Sequence, residues 1–136
     1  MNRFLPRLVL GLTAALIVGC AHTGNLAQVP TPQAERLAQD AAAAMRVVWA
    51  PATTPIGVGG REDEPFLSAL VTELRKTGYA VESATPGAPG ALRYVVDRPD
   101  ANHYRVRIQV GERSLQRLYG TQGGALQPAS AWTRQD

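Results

Sequence analysis

The chain has 136 residues, one cysteine and a formal charge of +3. That length accommodates one domain of ~100–150 residues and excludes a catalytic domain joined to a separate binding domain. The lone cysteine excludes an intrachain disulfide framework and any multi-cysteine metal site.

Residues 1–19 read as a secretory signal. Arg3 and Arg7 supply a positive start, and an apolar run follows from Leu8 to Val18. The run is well short of the ~20 apolar residues that cross a hydrocarbon core as a helix. A short apolar run behind basic residues and ahead of a small one is the signal-peptide pattern. The run ends in Ile17-Val18-Gly19-Cys20, which resembles a bacterial lipobox. Cleavage before Cys20 frees its amine for acylation, and its sulfur takes a diacylglycerol thioether. Burial contributes ~0.8 kcal/mol per CH₂, and two or more chains anchor stably where one does not. Ala21, in place of an inner-membrane-retaining Asp, points to the outer membrane.

Losing the signal changes the charge. Arg3 and Arg7 leave, so 12 of the 14 basic residues face 11 acidic ones. The acylated amine adds nothing and the terminal carboxylate removes one more charge. The mature chain is close to neutral and carries no electrostatic footprint for nucleic acid.

Residues 20–30 are small and polar, which predicts a lipidated cysteine on a flexible tether. Residues 31–136 form the expected periplasmic domain. Thr31-Pro32 suits an N-cap followed by proline at the first helical position. Ala34, Leu37, Ala38, Ala41, Ala42 and Met45 then recur at helical spacing and predict a helix over 32–45. Val47-Val48-Trp49 reads as the start of a strand, stopped by Pro51. Ala50–Gly60 and Ser83–Gly90 are rich in loop formers.

The second helix is the clearest. Pro65 opens it behind Asp63 and Glu64, which suit a helix N-terminus. Phe66, Leu67, Leu70, Val71 and Leu74 share a face, and Gly78 fits the C′ position. Tyr79–Glu82 alternates like a strand, as does Leu92–Asp97. A turn at 98–102 leads to Tyr104, Val106, Ile108 and Val110, alternating with polar residues as in a half-buried strand. Gly111-Glu112 fits a two-residue hairpin loop, and Arg113–Tyr119 returns. After Gly123-Gly124, Ala131–Thr133 reads as a last short strand. The order predicts an α+β domain: two helices over one face of a mostly antiparallel sheet of about four to five strands.

Chemistry is sparse. His22 lies in the tether and His103 in a turn beside Asp100 and Asn102, without a nucleophile in view. Glu62-Asp63-Glu64 lacks the spacing of a hard-cation loop. Gly57-Val58-Gly59-Gly60 lacks the rest of a phosphate-loop signature. No catalytic, cofactor or metal site is expected. Arg105 and Arg107 share one strand face, and Arg113 and Arg117 lie on the next strand. Together they suggest a basic stripe for an acidic partner or headgroup surface. Trp132 is a further candidate contact, since tryptophan is enriched at interface anchors.

The lipobox, the Glu64-Pro65-Phe66 helix start with LSALVTELRKTGYAVE, then LRYVVD, YRVRIQVGERSLQRLY and ALQPASAWTRQ together resemble the TrbH family. These are small conjugal-transfer lipoproteins. Glu64 departs from the Asp expected before Pro-Phe but keeps the negative charge. The resemblance implies a structural part of the outer-membrane complex of a type IV secretion (mating pair formation) apparatus. Its partners would be other secretion subunits and the membrane, with no direct nucleic acid contact. It brings no catalytic residues, and Cys20 is its one chemically defined position. The alternative is a periplasmic lipoprotein module that binds peptidoglycan or a small ligand.

Overall fold

A computed structural model describes residues 24–136 of the protein. The elements in chain order are β1 (Gly24–Asn25), α1 (Thr31–Val48), β2 (Ile56–Val58), α2 (Pro65–Lys76) and β3 (Val81–Ser83). Then come β4 (Arg93–Asp100), β5 (His103–Val110), β6 (Arg113–Gly120), β7 (Gln127–Pro128) and β8 (Thr133–Gln135). The domain is α+β, as expected. A six-stranded, mostly antiparallel sheet runs β1-β4-β5-β6-β7, with β8 also on β6.

Helix α1 buries the alanine-rich face read from the sequence, Ala34 to Met45. The alanines keep that face low, and α1 packs closely along α2. Two details of α1 differ from expectation. Its N-cap is Pro30, whose carbonyl accepts from Gln33 and Ala34 N–H at 3.0 and 2.9 Å. It also continues through Val47 and Val48, which begin no strand. Nothing breaks the helix there, and continuing by one turn puts Trp49 four residues after Met45, on the same face. Trp49 is buried, and its N–H donates to Met45 O at 2.8 Å. Packing of that side chain outweighs the β propensity of two valines.

Helix α2 follows its pattern closely, with Phe66, Leu67, Leu70, Val71 and Leu74 buried. It ends in a Schellman motif. Gly78 has φ 93°, its N–H donates to Arg75 O at 3.1 Å, and Tyr79 N–H donates to Leu74 O at 3.0 Å. Tyr79 therefore closes the helix instead of opening a strand, and β3 starts two residues later. Its hydroxyl donates to Trp49 O, tying the ends of the two helices together.

Strands β4, β5 and β6 form an antiparallel meander, with Val110 paired to Arg113 across Gly111-Glu112. Tyr94, Val96, Tyr104, Val106, Ile108, Val110, Leu115 and Tyr119 point to the helices and are buried. Phe66 joins the layers, its ring 5.3 Å from that of Tyr94.

Besides the two-residue β7, two strands lie where loops or tether were expected. Ile56–Val58, inside the presumed 50–60 loop, pairs in parallel with β3 across α2. Leu92 N–H donates to Gly57 O at 2.8 Å and links this small sheet to the start of β4. Gly59 is required here for lack of space. A Cβ would lie 2.8 Å from Ala84 O, Pro86 N and Pro86 Cα. Gly59→Ala is expected to lower stability by ~1–3 kcal/mol, the usual cost of overpacking. Gly120→Ala, where a Cβ meets nothing within 4 Å, should be near neutral. Urea midpoints of the two variants check this.

The second unexpected strand is β1, in the presumed tether. Gly24 and Asn25 pair in parallel with Val95 and Val96, and Val29 is buried. Of the 20–30 segment, residues 24–30 belong to the folded domain. The boundary expected at 31 moves to 24. The signal segment and Cys20 lie outside the described residues.

Candidate functional site

The arginines do not form one stripe. Pairing of Val106 with Arg117 and of Val110 with Arg113 puts both β6 arginines on the helix-facing side. Arg105 and Arg107 point to the opposite, open face. The two-residue hairpin already implied this register, because a loop of fixed length fixes every cross-strand pair.

On the helix side, Arg117 Nη1 pairs with Asp40 Oδ2 at 2.8 Å, and Nε donates to Ser130 O at 2.9 Å. Tyr119 O–H donates to the same Asp40 oxygen. The Arg117 guanidinium lies over the Tyr119 and Trp132 rings, 5.7 and 5.9 Å from their centroids. Trp132 stands edge-on to Tyr119 at 6.4 Å and packs against the core. This cluster clamps the C-terminal segment and α1 to β6. Arg113 meets Asp136 at 3.3 Å and holds the chain end. Asp40 escaped the sequence reading; its signal was a carboxylate flanking the otherwise alanine-rich face of α1.

Burial, and then the bond to Asp40, raise the Tyr119 pKa above its ordinary 10.0. A raised folded-state pKa stabilises below the unfolded value and loses that stabilisation as pH climbs past it. The domain should therefore lose stability above about pH 10. Tyr119→Phe, which cannot ionise, should show a shallower alkaline decline in thermal melts across that window.

On the open face, Arg105 Nε donates to Asp97 Oδ1 across the strand pair at 3.0 Å. That carboxylate raises the Arg105 pKa further. Arg107 lies between Val95 and Gln116, is exposed, and has no ion-pair partner among the described residues. Val95 and Leu118 are half-buried on this face.

His103 keeps the role of a turn residue. Its Nδ1 lies 2.8 Å from Asp100 Oδ2, and Asn102 N–H donates to Asp100 Oδ1 at 2.8 Å. These donors, Asn102 first, hold the Asp100 pKa below the ordinary carboxylate value. The pair is exposed and closes the β4–β5 turn. Among the described residues, no three His, Cys, Asp or Glu side chains gather as a metal site, and no helix is long and apolar enough to cross a membrane.

At the N-terminal edge, Glu64 does not cap α2 with its side chain. Its Oε1 instead accepts from Asn25 N–H at 2.9 Å. A shallow hollow of about 250 Å³ beside it is lined by Gly24, Gly60, Arg61, Glu64, Pro86 and Arg93, among others.

Fold and surfaces together define a small α+β domain whose features are faces and edges, with its own N-terminal segment stitched into the sheet. The chain belongs to the TrbH family of conjugal transfer proteins, whose model matches residues 19–136. That span includes Cys20 and the whole described domain. No curated protein and no solved structure matches the chain.

Proposed function

We propose that the protein is a lipoprotein of the outer membrane, anchored through Cys20, with its domain in the periplasm. There it serves as a structural, non-enzymatic component of the conjugative type IV secretion apparatus. The observation that carries this reading is the Ile17-Val18-Gly19-Cys20 sequence, behind Arg3, Arg7 and a short apolar run, in a chain of a conjugal transfer family. Two or more acyl chains on Cys20 suffice for stable anchoring.

Contact with neighbouring secretion subunits falls on the open sheet face, at Arg105 and Arg107. Arg113, Arg117 and Trp132 serve the domain's own C-terminal edge. A photo-crosslinking residue in place of Arg107, in cells carrying the transfer apparatus, tests the reading. Adducts with transfer subunits are expected in mass spectra of purified envelopes. Adducts confined to peptidoglycan or to unrelated proteins would overturn it.

A further inference from the structure

The chain is committed to the fold from Gly24 onward. Gly24 and Asn25 pair with β4, and Leu26 and Ala27 N–H both donate to Val96 O, at 2.9 and 3.1 Å. Asn25 is held from its other side by Glu64, and Val29 is buried. Only Ala21, His22 and Thr23 stand between Cys20 and this edge. Four residue steps, fully extended, span at most about 14 Å. The headgroup layer takes about 5–8 Å of that reach. The gap left is narrower than the ~10–12 Å diameter of a single helix.

The same edge carries an exposed apolar side chain. Leu26 is 58% exposed, and among the described residues the other large apolar one left exposed is Val47, at 87%. Val47 sits at the far end of α1, about 24 Å along the axis from Thr31. Charges near the edge are mixed. Arg61 pairs with Asp63 at 3.0 Å, and Glu62, Glu64 and Arg93 lie close by. Nothing in that set favours an anionic surface over a zwitterionic one.

We propose that the β1 edge, with Leu26 foremost, rests directly on the phospholipid bilayer that holds the anchor. The inference rests on lipidation at Cys20. It replaces a domain held off the membrane by a domain seated on it. The chain's reach sets the height, and the pairing of β1 with β4 sets which edge faces down. The open β5 face and the C-terminal clamp are then held at fixed orientation to the bilayer.

The test uses the full lipidated protein in zwitterionic phosphatidylcholine vesicles, with Leu26→Cys or Val47→Cys carrying an environment-sensitive fluorophore. The Cys20 thioether leaves the introduced thiol as the single labelling site. Spin-labelled lipids should quench the probe at position 26 and shift its emission to the blue, with no change at 47. Inserting about twelve Gly/Ser residues between Thr23 and Gly24, an r.m.s. span of ~20 Å, should abolish the quenching at 26. Equal quenching at both positions, none at 26, or quenching that survives the insertion overturns the proposal. The mass of the N-terminal peptide reads the anchor separately. An unmodified Cys20 sinks anchor and seat together. A lipidated Cys20 with an unquenched position 26 sinks the seat alone.

Discussion

Cys20→Ser is expected to abolish incorporation of labelled palmitate and to leave an uncleaved precursor that does not reach the outer membrane. Serine has no thiolate to take the diacylglycerol, and without it the dedicated peptidase does not free the amine. Each acyl chain of about 15 methylenes contributes ~12 kcal/mol at ~0.8 kcal/mol per CH₂. Without that term the fraction found in the outer membrane should fall from nearly all to nearly none. The domain itself should be unaffected, since its core starts at Val29. Circular dichroism of the variant, purified in detergent, should match that of the lipidated protein. Transfer frequency should drop toward that of a deletion strain. Undiminished transfer by an unlipidated, correctly folded variant would remove the anchor from the protein's function.

Phe66→Ala should produce the largest loss of stability of any single core substitution. Phe66 is fully buried in the first turn of α2 and tilts against Tyr94 on β4. It therefore touches both layers at once. Phe→Ala in a core costs ~3–5 kcal/mol through lost transfer energy and the cavity left behind. A domain of this size has only ~5–15 kcal/mol in total. The variant should melt well below the parent, with a reduced urea midpoint and an unchanged m-value. Phe66→Leu, which fills much of the same volume, should recover more than half of the loss. A midpoint within error of the parent for Phe66→Ala would mean that the two layers do not depend on this contact.

The elements most legible in the sequence were those whose signals are local. The α2 face, Pro65 and Gly78 each act within one or two turns of chain. Gly111-Glu112 sets its hairpin by loop length alone, and with it the faces of Arg113 and Arg117. The basic stripe was expected only because that register was not carried through to β6. Elements that depend on distant partners were misread. Ile56 and Val58 are too short a run to announce a strand, and β2 exists because β3 and Leu92 supply its hydrogen bonds. Val47 and Val48 have β propensity, but the core position of Trp49 keeps them helical.

By itself, the sequence determined the anchor chemistry at Cys20 as an expectation, the α+β class, and the family to which the motifs point. These rest on short spacings that folding does not rearrange. Only the tertiary structure decided that residues 24–30 are part of the domain. A two-residue strand of Gly24 and Asn25 has no propensity to form alone. It forms because β4 offers unpaired backbone groups at its edge, whose satisfaction no local pattern can encode. The same holds for Asp40, Arg117 and Tyr119, which lie 77 and 79 residues apart in sequence. Their meeting depends on how α1 lies over the sheet, which brings Asp40 within reach of the β6 side chains, a consequence of how two apolar faces pack.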